Sequence, residues 1–266
     1  MTDNNGRLRV GLALGGGGVR GLAHIGVLQG LVDARIPIDC VAGTSVGAVI
    51  GAAYCAGLEL PQLWELATET SWTNFGRLTT PTTGLLSFDP LEAWMIDLIG
   101  DVDIRDLSIP FAAVVTDLAS GERVILREGR LASAVRASCS VPGIVKPLEV
   151  DGQLLCDGGI SDNVPVGAVR MLGADYIIGV DIFAHAPRPR LGPLGIGVAA
   201  VENLVRHAGG GDSMADCLIA PRISGQTYVR FSKWETLIAL GEQGARRRIP
   251  HIRAALKKSA ATPPQS

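Results

Sequence analysis

The sequence predicts an α/β fold in which a mostly parallel central sheet is covered by helices on both faces, a three-layer α/β/α arrangement. Three observations lead there. Predominantly apolar runs such as LRVGLAL (Leu8–Leu14) and YIIGVDI (Tyr176–Ile182) read as buried strands. Stretches with helical spacing of apolar residues separate such runs. Glycine-rich turns stand where strands give way to helices, the edge at which parallel sheets bind ligands.

Taken in order, Leu8–Leu14 is the first strand, closed by Gly15–Gly18. From Gly21 to Ala34 the apolar residues Leu22, Ile25, Leu28 and Leu31–Val32 recur with a helical period, and Pro37 ends that unit before a strand at Ile38–Ala42. This is the strand–helix–strand unit that builds parallel sheets. A helix is expected over Val46–Ala56, stopped by Gly57, and another over Leu60–Thr70. Trp72–Ser87 reads as an irregular excursion, and Asp89–Pro90 opens a helix to Ile99.

Further strands are expected at Phe111–Thr116, Arg123–Arg127 and Gln153–Asp157, the last entered through a tight turn at Asp151–Gly152. Leu131–Ala137 and Val166–Leu172 read as helices, and Tyr176–Ile182 as another buried strand. Beyond Phe183 a Pro/Gly-rich connection leads to a helix over Gly195–Val205, a strand over Leu218–Ile223 and a helix over Trp234–Lys258 interrupted at Pro250.

Composition narrows the function. A net charge of −2 offers no basic face for nucleic acid, and 5% aromatic residues leave little for base stacking. The five cysteines form no C-x-x-C pair, so neither a zinc site nor a disulfide framework is indicated, and they read as buried thiols of a cytoplasmic protein. No metal or cofactor is expected. The polar start MTDNNGRLRV lacks the apolar region of a signal peptide. Cys40–Leu58 runs without a charge and carries Gly43, Gly47 and Gly51 at four-residue spacing, a pattern compatible with a membrane helix. Its Gly, Ala, Ser and Thr content favours instead a buried strand, a turn at Thr44–Ser45 and a helix packed under a sheet.

Ser45 sits in G-T-S-V-G between Gly43 and Gly47. Glycines on either side of a serine at a sharp strand-to-helix turn let neighbouring backbone come close, while the turn exposes the hydroxyl. The amide of Val46 then lies at a helix N-terminus, positioned as an oxyanion donor. The run Gly15–Gly21 contains G-x-G-x-x-G, but Leu22 stands where a Walker motif has lysine. Asp39, about 20 residues on, is spaced like a ribose-binding acid yet precedes its strand, the wrong end for a dinucleotide. A glycine run at a strand end turns N–H groups toward one point, which suits an oxyanion. A serine nucleophile needs a base. His185, His207 and His251 follow it in the order of an α/β-hydrolase triad, while Asp157, followed by Gly158 and Gly159, closes a strand with little steric cover.

Together, GGGGVRG (Gly15–Gly21), GTSVG (Gly43–Gly47) and DGGISDNVPV (Asp157–Val166) after ASCSVPGIVKP resemble the patatin-like phospholipase family over Val10–Ile182. ADCLIAPRISG and FSKWETLIALGEQGA look like the C-terminal part of its bacterial members. The resemblance implies a patatin-like catalytic domain over residues 8–182, an extension over 183–259 packed on it, and a loose tail over 260–266. It also implies a Ser45–Asp157 dyad without histidine, an oxyanion hole from Gly16, Gly17 and Gly18, and Arg20 supporting that loop. Gly15 stands where the family usually has an acidic residue.

The expected substrate is a lipid acyl ester, with peripheral membrane contact through Gly192–Val201 set against a buried helix there. Partial desolvation is expected to raise the pKa of Asp157 so that it serves as a base. A histidine-dependent esterase and a non-catalytic lipid-binding module remain as alternatives.

Overall fold

The computed structural model describes residues 7–69, 75–80, 84–183, 196, 202–223 and 233–260. The first half of the chain folds as strand β1 (Val10–Leu14), helix α1 (Leu22–Asp33), β2 (Cys40–Thr44), α2 (Val46–Cys55), α3 (Leu60–Glu69), the two-residue strands β3 (Arg77–Leu78) and β4 (Leu86–Ser87), and α4 (Asp89–Ile99). The second half adds β5 (Phe111–Asp117), β6 (Arg123–Leu126), α5 (Leu131–Ser138), β7 (Leu148–Val150), β8 (Gln153–Asp157), α6 (Val166–Met171), β9 (Tyr176–Val180), β10 (Cys217–Ile219) and α7 (Trp234–Ala260).

The main sheet runs β10-β9-β1-β2-β5-β8-β7, with β6 also pairing β5. From β10 to β5 every neighbour is parallel, and the pairs β5–β8, β7–β8 and β5–β6 are antiparallel. The expected α/β/α layering follows from side-chain alternation. In β1, Val10, Leu12 and Leu14 enter one core with α1, α2 and α7, while Ala13 enters the other with Val166 and Val169 of α6. Both faces are covered, so all five residues are buried and the strand reads as a continuous apolar run.

One feature of the pairing sets up the site. β2 and β6 both pair with Ala113 and Val114 of β5, so they occupy opposite edges. β6 and β8 both pair with Val115 and Thr116, so they too are on opposite edges. Hence β2 and β8 share one edge of β5 and meet end to end. Thr44 lies opposite Val114 and Asp157 opposite Val115.

Several sequence expectations need correction. The helix at the C-terminal end is continuous from Trp234 to Ala260 and carries Pro250 inside it. Proline removes one backbone hydrogen bond, but Ile249 and Ile252 are buried to either side of it and hold the two halves on the core. The Leu218–Ile223 strand narrows to Cys217–Ile219. Trp72–Ser87, read as irregular, contains the β3–β4 ribbon. The α1 stripe suggested one buried face, whereas His24, Val27 and Gly30 are buried too, because α7 packs along α1 and the His24 ring reaches the glycine loop. There a Cβ at Gly26 would collide with the Ile238 carbonyl oxygen.

Cys40–Leu58 divides into strand, turn and helix, and among the described residues no helix is long and apolar enough to cross a membrane. All five cysteines are buried, unbridged thiols. Gly192–Val201 lies outside the described residues apart from Ile196, and so does the tail beyond Ala260.

Candidate active site

Ser45 occupies the one-residue turn between β2 and α2 with φ 55° and ψ −127°, a left-handed conformation disfavoured for a residue with a side chain. The surroundings hold it there. Its N–H donates to the Ser138 hydroxyl at 2.8 Å, which in turn donates to the Val114 carbonyl at 2.7 Å. Its carbonyl accepts from Ala48 at 2.8 Å, the first turn of α2. A Cβ at Gly43 would strike the Gly47 carbonyl and Ala48 backbone, and one at Gly47 would strike the Leu14 carbonyl. Both glycines are therefore fixed by sterics.

Asp157 ends β8, is buried, and meets Ser45 across the end-to-end junction of β2 and β8. The Ser45 side chain lies close enough to the carboxylate to favour its ionised form, and the Gly159 N–H donates to Oδ1 at 2.8 Å. Burial nevertheless pushes its pKa up to about 6, outweighing the Ser45 side chain and the Gly159 N–H, which both favour the ionised form. The Asp157 backbone is pinned as well, its N–H to Ser140 at 2.9 Å and its carbonyl to the Thr116 hydroxyl at 3.0 Å. Gly158 is packed so tightly that a Cβ would enter the Val114 carbonyl.

The Gly15–Gly16 peptide is clamped from both sides. His24 Nε2 bonds the Gly15 carbonyl at 2.7 Å, and the Gly16 N–H reaches Asn163, at 3.2 Å to Oδ1 and 3.3 Å to the carbonyl oxygen. Burial pushes the His24 pKa down to about 4, so at neutral pH its ring is uncharged and Nε2–H is the donor. Of the three glycines expected to face an oxyanion, Gly16 thus directs its N–H into the protein. The N–H groups of Gly17 and Gly18 have no acceptor among the described residues, and Gly18 lines the cavity beside Ser45. Arg20 is fully buried on the short helical turn Gly18–Gly21, and a Cβ at Gly21 would hit the Val46 side chain.

The other histidines are distant in kind. His207 is exposed, 3.8 Å from Asp212, and His251 is exposed on α7. His185 lies outside the described residues. Asp39, weighed as a ribose acid, is occupied by Arg7 at 2.6 Å and by the Val10 N–H at 2.7 Å.

Ser45 opens into a cavity of about 380 Å³ lined almost wholly by apolar side chains, among them Ile25, Val49, Phe75, Leu91, Trp94 and Ile144. That size falls within the usual ligand-pocket range of roughly 300–1,000 Å³.

Residues 12–170 match the patatin-like phospholipase family. The chain belongs to that family. Among relatives, it is 41% identical over 177 residues to an NTE family protein of Mycobacterium tuberculosis, covering 65% of this chain and 49% of that one. It is 39% identical over 190 residues to the neuropathy target esterase sws of Drosophila melanogaster, covering 68% and 13%. To the lysophospholipase nte1 of Aspergillus fumigatus it is 35% identical over 179 residues, covering 65% and 12%. The chain thus spans about half of the mycobacterial relative and about an eighth of the other two.

Two solved structures share the patatin-like fold. VipD from Legionella pneumophila gives a TM-score of 0.58 at 14% identity over 96% of this chain and 70% of that one. The type III effector ExoU gives 0.52 at 13% identity over 94% and 56%.

Within this patatin-like site, sequence reasoning gave no role to His24, Ser138 and Asn163. Asn163 lies inside the quoted DGGISDN motif, and His24 is a polar residue on an otherwise apolar helix face. Each is visible in sequence only as a polar residue where burial is expected.

Proposed function

We propose that the protein is a serine acyl hydrolase for lipid esters, with Ser45 as nucleophile and Asp157 as base. Asp157 takes the Ser45 proton as Oγ attacks the ester carbonyl carbon. The resulting oxyanion faces the N–H groups of Gly17 and Gly18, and such donors typically contribute about 3–4 kcal/mol each to the transition state. Collapse breaks the ester bond, and the departing alcohol leaves with the proton held on Asp157. Water then attacks the acyl-serine, Asp157 receives its proton and returns it to Ser45 Oγ, and the fatty acid departs.

The observation that carries this reading is that the strained Ser45 and the buried Asp157, whose pKa is pushed up to about 6, are brought side by side where β2 and β8 meet along β5. The apolar cavity beside it suits an acyl chain, and the family's name together with that of the Aspergillus fumigatus lysophospholipase supports esters of phospholipids and lysophospholipids as substrates. Hydrolysis of p-nitrophenyl esters and labelling by a fluorophosphonate test it together. Ser45→Ala is expected to abolish both, and Asp157→Asn to lower hydrolysis by about 10²–10⁴-fold. His185→Ala, His207→Ala and His251→Ala are expected to keep both; loss in any one would move the reading to a histidine triad.

A further inference from the structure

The cavity mouth has an apolar collar with no packing role. Leu78 is 85% exposed, Leu85 55%, Ile144 51% and Val141 40%. They are neighbours because three chain segments lie side by side. Leu78 stands opposite Leu86 in the β3–β4 ribbon, Leu86 bridges Val145, and the Leu85 N–H donates to the Ile144 carbonyl at 2.9 Å. Val141 and Ile144 also line the cavity that Ser45 opens into, so the collar is continuous with its wall. Just inside it, Phe75 and Trp94 stack edge-on with centroids 5.6 Å apart, both partly exposed. Exposed Lys146 and Arg77 flank the collar, Arg77 being bonded to Asp89 at 2.9 Å.

Single exposed apolar side chains are ordinary, but a cluster around the mouth of an apolar cavity marks an interaction surface. A protein partner would close the mouth to the substrate. A lipid surface would supply the substrate through it. Partly exposed aromatics with basic residues beside them suit the headgroup boundary of a bilayer.

We infer that Leu78, Leu85, Val141 and Ile144 form the face that docks on a phospholipid surface, so that an acyl chain passes from the bilayer into the cavity without crossing water. The inference rests on the proposed lipid hydrolase reading for its purpose, but not for its test.

Flotation with vesicles of phosphatidylcholine and phosphatidylglycerol measures docking, and hydrolysis of water-soluble p-nitrophenyl butyrate measures the chemistry. The double variant Leu78→Asp, Leu85→Asp touches neither the cavity lining nor the core. It is expected to lower vesicle binding about tenfold or more, with Leu78→Asp alone giving an intermediate loss. Melting temperature and butyrate hydrolysis stay at wild-type values. Wild-type binding by the double variant, or no flotation of the wild type, would overturn the docking face. Flotation without butyrate hydrolysis would overturn the hydrolase reading and leave the docking face standing.

Discussion

A carboxylate serves as a base only while ionised, and Asp157 is held where ionisation is opposed by burial. With its pKa near 6, kcat/KM for a soluble ester should rise about tenfold per pH unit below that value and level off above it. A pH–rate profile checks this, and an inflection near 4 would mean that burial does not tune the base. The clamp on the Gly15–Gly16 peptide gives a second expectation. His24→Ala and Asn163→Ala free one peptide plane in the loop that presents Gly17 and Gly18. Each should lower kcat by about 10²-fold with little change in KM, since the oxyanion forms only in the transition state. His24→Gln, which keeps a donor, should recover part of the loss. Equal losses in kcat and in thermal stability for Ala and Gln alike would make His24 merely a packing residue.

At the level of elements, close approach of backbone is what the glycines provide. α2 can start immediately after β2 because nothing projects from Gly43 or Gly47 into the neighbouring chain. Gly47→Ala should therefore cost about 1–3 kcal/mol in chemical denaturation and displace Ser45, with loss of fluorophosphonate labelling. The packing of α7 on α1 uses the same device nearer the C-terminal end of α1, away from the His24 clamp, since a Cβ at Gly30 would press on the Ala245 side chain. Gly30→Ala should be destabilising yet leave the labelling rate of the folded fraction unchanged. The contrast separates glycines that shape the site from those that only hold helices together.

For the molecule as a whole, two buried groups pull stability in opposite directions with pH. His24 has its pKa lowered to about 4, so the unfolded chain binds a proton there that the native state refuses, and acid destabilises. Asp157 has its pKa raised to about 6, so between about 6 and 4 the native state takes a proton that the unfolded chain does not, and acid stabilises. Each contributes a slope of about 1.4 kcal/mol per pH unit of opposite sign, and in that window they cancel. Asp157→Asn removes one side of the balance. Its unfolding free energy should fall by about 1.4 kcal/mol per pH unit more steeply than that of the wild type on acidification from 6 to 4. Parallel slopes in denaturation series at pH 4, 5 and 6 would show that the two groups do not titrate as their burial requires.

The sequence by itself determined the layered α/β class, because a strand covered on both faces must be apolar throughout, as β1 and β9 are. It also determined the two ends of the site. Glycines at 43 and 47 are read from spacing since only they permit the turn, and D-G-G marks a carboxylate at a strand end. The tertiary structure decided that the two ends meet. Nothing local tells that β2 and β8 share one edge of β5, since that depends on which partners Val114 and Val115 choose across 41 to 157 in the chain. Helix α1 was half legible for the same reason, its second buried face existing only once α7 packs on it. His24 and Asn163 acquire a task only where the glycine loop arrives between them, a consequence of three separate segments closing on one point.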